Sequence, residues 1–170
     1  YIEMVKPRLY NEEDTTKAAA LFTLKKVLTI SLKLLHPYMP FITEEIFCSL
    51  QDEEESIMVS DWPVFEEAFD FKAEENEVEI IKNAVRNIRN LRADMNVPPS
   101  KKASVYVVSE KEEVRKVFED SRVFFATLGY ASEVHVQADK AGIADDAVST
   151  VIPDAVIYMP FAELVDVEKE

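Results

Sequence analysis

The stretch from Lys82 to Lys102, KNAVRNIRNLRADMNVPPSKK, sets Lys82, Arg86, Arg89, Arg92, Lys101 and Lys102 against the single acid Asp94, in a chain whose formal net charge is -14. Ammonium and guanidinium groups gathered in this way bind anions, phosphates above all. They must act locally, because a strongly negative chain repels a polyanion at long range. At about 100° per residue, a helix places Lys82, Arg86, Arg89 and Arg92 within an arc of about 120°. Ile80, Ile81, Ala84, Ile88, Leu91 and Met95 fall within an adjoining arc of about 100°, and Asn83, Asn87 and Asn90 fill the remaining sector. One face packs, and the other two are free to meet nucleic-acid phosphates and, through the amides, base edges or sugar hydroxyls.

A second explanation stays open. Glu74, Glu75, Glu77 and Glu79 lie toward the start of this helix and the arginines toward its end, as the helix dipole prefers, and Glu79 can pair with Lys82. The pattern alone leans to this electrostatic explanation. Pro98 and Pro99 then stop the helix and stiffen the connection, so Lys101 and Lys102 emerge at a fixed place, as phosphate contacts or as solvated charges.

Other chemistry is poorly supplied. His36 and His135 are far apart, and His135 has no Cys or carboxylate at metal-ligand spacing, so both read as packing or surface residues and no metal site is expected. Gly129 and Gly142 cannot make a Gly-rich phosphate loop, and Glu44 and Glu45, adjacent on a helix, point about 100° apart. No catalytic residue is expected. Trp62, Phe41 and Phe47 can stack on bases, but without an exposed basic setting a buried aromatic plug is the better expectation.

The elements that must position these residues divide the chain. Residues 1–51 read as helices: one ending near Leu9, a second capped by Asp14 or Thr15 and running to about His36, and a third starting at Pro40 after the break at Pro37. The second carries leucines around most of its circumference, with Lys26, Thr29 and Lys33 as a narrow polar stripe, so it is expected to be core, surrounded by other helices. In the third, Phe41, Ile42, Ile46, Phe47 and Leu50 form an apolar stripe, with Glu44 and Glu45 in its first turns. Residues 52–72 hold an acidic loop and an extended segment anchored by Trp62. Residues 73–160 alternate: a helix Ala73–Met95, a strand Ala103–Ser109, a helix Glu110–Leu128 closed by Gly129, a strand Ser132–Ala138, and a hairpin about Pro153 and Asp154. Residues 161–170 begin a further helix. The fold class is α+β, a partial antiparallel helical bundle followed by a small mixed α/β unit with one sheet face covered by helices.

Composition sets the frame. At 48% hydrophobic and 31% charged residues, the chain is globular. Cys48 is alone, which rules out an internal disulfide, suits a reducing compartment and reads as a small core residue. No run approaches the roughly 18 to 20 apolar residues of a membrane span and no leader opens the chain, so the expectation is cytoplasmic and without a membrane. The opening YIEMVKPRLY, already amphipathic and lacking an initiator Met, and the close FAELVDVEKE read as a piece of something longer.

The strings LLHPYMPFITEEIF, SIMVSDWP and IRNLRADMNVPPSKK closely resemble the C-terminal region of the valyl-tRNA synthetases, a branch of the class I aminoacyl-tRNA synthetases. The likeness covers essentially the whole chain; FITEE also occurs in isoleucyl and leucyl relatives, whereas the ordered set with RADMNVPPSKK is much more specific to the valyl branch. What the resemblance implies is an anticodon-binding region that helps hold tRNA, in a parent that joins valine to tRNA using ATP with Mg; the basic patch then offers Lys82, Asn83, Arg86, Asn87, Arg89, Asn90, Arg92, Lys101 and Lys102 as the expected tRNA contacts. The resemblance further implies no cofactor in this piece, catalytic and editing domains upstream in the same polypeptide, a C-terminal coiled-coil arm, and a monomeric enzyme. An acidic protein-interaction module, or the same region of an isoleucyl or leucyl relative, remains the alternative.

Overall fold

A computed structural model describes residues 2–50 and 56–164. The chain divides into two compact units, Tyr1–Asp70 and Phe71–Glu170. The acidic loop expected at 52–55 and the chain's last six residues lie outside the described residues.

The first unit is helical: α1 (Ile2–Tyr10), α2 (Lys17–Leu35) and α3 (Pro40–Leu50), followed by a short 3-10 turn at Ile57–Val59. Asp14 stands just ahead of α2, where its carboxylate accepts from the Thr16 backbone N–H at 2.7 Å and from the Thr16 hydroxyl at 2.5 Å. Those two bonds hold its pKa below the ordinary aspartate value. The cap residue itself is Thr16, one or two positions later than the sequence suggests. Pro37 and Pro40 act as expected, since α2 stops at Leu35 and Pro40 is the first residue of α3.

The core of this unit is small, made by Leu32, Phe47 and Ile57 with Ile46 and Leu50 against them. Ile57 rather than Trp62 anchors the extended segment, because Trp62 is 60% exposed. Phe41 is 90% exposed, and Thr43 takes the buried place on α3, its hydroxyl donating to the Met39 carbonyl at 2.8 Å and facing His36 Nδ1 at 2.8 Å. Glu44, the fifth residue of α3, accepts from the Ile57 backbone N–H at 3.1 Å. Cys48 is exposed. Leu21, Val27, Leu28, Leu34 and Leu35 of α2 are also exposed, so within this chain the leucine helix is covered on only part of its circumference.

The second unit runs α4 (Lys72–Asp94), β1 (Ala103–Val108), α5 (Glu112–Asp120), α6 (Arg122–Leu128), β2 (Ala131–Gln137), β3 (Val148–Ile152), β4 (Ala155–Met159) and α7 (Phe161–Leu164). The strands form one mixed sheet in the order β2-β1-β4-β3. β1 and β2 are parallel, which requires the crossover that α5 and α6 provide, while β4 runs antiparallel to both β1 and β3. Strict alternation buries Val105, Val107, Ile157 and Met159 on the face toward α4, where Thr150 of β3 donates to the Asn87 side chain at 3.2 Å. Tyr106, His135 and Tyr158 face the other way; Tyr106 and His135 stack at 4.7 Å, and Lys140, from the connection between β2 and β3, lies over the Tyr158 ring. All three rings are half-buried, with the Lys140 side chain over one of them.

The single helix expected over Glu110–Leu128 is two. Ser121 falls on the core stripe between Phe118 and Phe125, and at this buried polar residue the chain tightens, its N–H donating back to the Phe118 carbonyl at 3.3 Å. The break lets both phenylalanines enter the core with ring centroids 5.4 Å apart. Gly129 caps the end of α6, at a position where a Cβ would meet the Phe125 carbonyl oxygen at 2.9 Å. The hairpin turns at Pro153 and Asp154 as expected, with Asp154 at φ 64°.

The end of α4 fixes where the basic residues after it emerge. Val97 N–H donates to the Arg92 carbonyl at 2.8 Å and Asn96 N–H to the Ala93 carbonyl at 2.9 Å, the paired bonds of a Schellman cap, with Asn96 left-handed at φ 54° and Val97 buried. Asn96→Val is expected to lower the stability of this unit by about 1–2 kcal/mol in chemical denaturation, because a β-branched residue resists that conformation, whereas Asn96→Gly should change it by less than about 0.5 kcal/mol.

Candidate nucleic-acid interface

α4 buries Ile81, Ala84, Val85, Ile88 and Arg92, and the remaining candidates are distributed around that stripe. Lys82 is exposed and bonded to Glu79, so its charge is locally matched, as the electrostatic explanation anticipates. Arg86 is exposed and makes no hydrogen bond or ion pair among the described residues. Arg89 is exposed; its Nε donates to the Leu128 carbonyl at 2.7 Å and its guanidinium carbon lies 5.9 Å from the Tyr130 ring centre. That bond holds the planar fork in place without neutralising it, since a carbonyl carries no charge.

Arg92 is not on the exposed arc. It is 3% exposed, its Nη2 donates to the Pro98 carbonyl at 3.0 Å and to the Lys101 carbonyl, and its guanidinium carbon is 5.4 Å from the Tyr130 ring centre. Its Nη1 is buried without a partner among the described residues. Burial pulls its pKa below the ordinary arginine value. The reason is in the spacing: Ile81, Val85, Ile88 and Arg92 stand at i, i+4, i+7 and i+11, one helical stripe. Counting Val85 among the core residues would have moved the packed arc over Arg92.

The asparagines separate likewise. Asn87 donates to the Asn83 carbonyl at 2.8 Å and accepts from Thr150, so its amide ties α4 to the sheet. Asn83 is half-buried, and Asn90 is exposed beside Arg86 and Arg89 on the helix. Lys101 is half-buried in the turn that Arg92 clasps, and Lys102 is exposed. The structure thus brings Arg86, Arg89 and Asn90 together on an open surface and withdraws Arg92 and Asn87 from it. Tyr130, which both Arg89 and Arg92 face, was missed by sequence reasoning; it holds φ 55° directly after Gly129.

This surface offers charged and neutral donors, of which Arg89 is held in place, and nothing for acid–base or nucleophilic chemistry. Among the described residues no group of three or more His, Cys, Asp or Glu side chains is placed to hold a metal. His135 contacts Glu133 at 3.2 Å and stacks on Tyr106, while His36 faces Thr43, so both histidines serve packing. No helix among the described residues is long and apolar enough to cross a membrane.

The model of the family described as "Anticodon-binding domain of tRNA ligase" matches residues 1–107, which takes in all of α4 and the basic turn after it. Curated proteins similar to the chain include the valine–tRNA ligases of Clostridium acetobutylicum, 45% identical, Clostridium tetani, 43%, and Clostridium perfringens, 42%. Each alignment covers 170 residues, all of this chain and 19% of the relative, so the chain spans about a fifth of the length of the curated relatives it matches. With well over half of its residues in the matched region, the chain belongs to the anticodon-binding domain family of tRNA ligases.

Proposed function

We propose that the chain is the anticodon-binding region of an ATP-dependent ligase that joins valine to its tRNA, and that α4 holds tRNA phosphates through Arg86 and Arg89 with Asn90 beside them. In this reading the piece positions tRNA and carries no catalytic step. ATP with Mg, the catalytic and editing domains and a coiled-coil arm belong to the rest of a monomeric cytoplasmic polypeptide. The observation that carries the reading is the exposure of two guanidinium groups without carboxylate partners in a chain of net charge -14. A protein so acidic has no electrostatic need to leave arginines unpaired unless an anion from outside completes them. The names of the relatives support valine as the amino acid.

Each phosphate contact contributes roughly 0.7 to 0.9 to the magnitude of the slope of log K against log salt concentration. Replacing Arg86 and Arg89 together by Ala is therefore expected to flatten that slope by about 1.5 and to weaken tRNA binding, read by anisotropy of labelled tRNA over a salt series. Wild-type slope in a variant whose circular dichroism shows the native fold would remove α4 from the interface. A titration with an unrelated RNA of equal length separates tRNA recognition from simple charge attraction, and no binding to either RNA would leave the chain as a protein-interaction module.

A further inference from the structure

Trp62 is expected from sequence to be a buried plug for want of an exposed basic setting, and the structure supplies that setting. The indole is 60% exposed at the mouth of a groove of about 430 Å³ between α2 and the segment Asp61–Glu66 of the first unit. Lys25, Lys26 and Lys33 line the α2 side, with Ile30 between Lys26 and Lys33 and Phe22 one turn before Lys25. Lys26 is paired with Glu66 at 2.8 Å. Lys33 donates to the Asp61 backbone carbonyl at 2.9 Å, which positions its ammonium group without cancelling its charge. Lys25 makes no hydrogen bond or ion pair among the described residues. Three lysines, Lys25, Lys26 and Lys33, face two acids, Asp61 and Glu66, so the groove keeps one net positive charge within a strongly acidic chain.

The two lysine bonds, to Glu66 and to Asp61, stand about 10 Å apart along α2 and fasten the segment to the helix at two points, so the groove is formed before any ligand arrives. An exposed π surface, lysine ammonium groups and apolar side chains lining one groove are what a single-stranded nucleic acid requires: a base to stack and a flanking phosphate to neutralise. A duplex keeps its bases paired and offers no free face to the indole.

We propose that this groove is a single-stranded RNA site in which an unpaired base stacks on Trp62 and a neighbouring phosphate meets Lys25 and Lys33. The proposal takes RNA as the partner from the tRNA reading above, but it names a surface in the other unit and does not depend on α4.

Trp62 is the chain's single tryptophan, so its own fluorescence reports the contact. The 170-residue chain is titrated with a short single-stranded RNA, with the same RNA annealed to its complement, and with inorganic triphosphate. The expected result is strong quenching by the single strand, and little by the duplex or by triphosphate. Anisotropy of the labelled single strand should show binding weakened about tenfold by Trp62→Leu and severalfold by Lys25→Ala. Both side chains are solvent-facing, and unchanged thermal unfolding confirms that the fold is kept. In the Arg86→Ala, Arg89→Ala background the quenching should persist. If it persists while tRNA binding is insensitive to that double substitution, the α4 reading falls and the groove stands. Unchanged Trp62 emission, equal quenching by the duplex, wild-type binding by Trp62→Leu, or quenching that disappears with Arg86 and Arg89 each overturns the groove and leaves the α4 reading to its own test.

Discussion

Phe118→Ala is expected to destabilise the second unit by about 3–5 kcal/mol, the largest effect of any single truncation argued for this chain. The side chain is fully buried, set against Phe125 at 5.4 Å, and α5 carries it onto the sheet beside β1 and β2. Removing the ring deletes its transfer free energy and leaves a space that the sheet cannot close, because β1 is hydrogen-bonded on both sides. Against a typical domain stability of about 5–15 kcal/mol, the change removes roughly a fifth or more of what holds the unit folded. Urea denaturation followed by far-UV circular dichroism measures it as a lower midpoint at unchanged slope. Phe41→Ala is the control: it deletes the same group from a 90% exposed position and should shift the midpoint by no more than about 0.5 kcal/mol. A loss below about 1 kcal/mol at Phe118 would mean that α5 does not form part of the core.

How much of this was legible in the sequence depends on whether the information was local. The two prolines around α2 and α3, the hairpin at Pro153 and Asp154, and the length of α4 follow from backbone restrictions and a 3.6-residue period, and the structure repeats them closely. The break at Ser121 was not legible, because a serine within an otherwise apolar stripe is as compatible with a continuous helix as with two. The exposure of Trp62 and Phe41 was not legible either, since hydrophobicity says that a side chain gains from burial but not which partner covers it. At the candidate interface, cation spacing placed Arg86 and Arg89 on an open face. Asn87 was out of reach because its partner, Thr150, lies 63 residues away on a strand whose register no local pattern fixes.

Arg92 separates a phosphate ligand from an architectural cation, and the two roles predict different measurements. Its guanidinium closes the turn after α4 by donating to the carbonyls of Pro98 and Lys101. Hydrogen bonds from a charged donor contribute about 1.5–3 kcal/mol each, but a cation this deeply buried has lost much of its hydration, and one of its terminal nitrogens recovers nothing. Arg92→Ala, which deletes the stem as well and leaves two acceptors unpaired, is therefore expected to cost about 3 kcal/mol in chemical denaturation. Arg92→Met keeps the packing and releases the buried charge, so it should cost about 1–2 kcal/mol despite losing the same bonds. Arg92→Lys should fall between them, because a point charge reaches one carbonyl and not both. For the salt dependence of tRNA binding the order is different. A phosphate ligand would give a slope reduced by roughly 0.7 to 0.9 in Arg92→Met and preserved in Arg92→Lys. The buried clamp predicts that neither variant moves the slope by that amount while both lower stability. A loss of slope in Arg92→Met that Arg92→Lys restores would place the guanidinium on the RNA and contradict its position in the core.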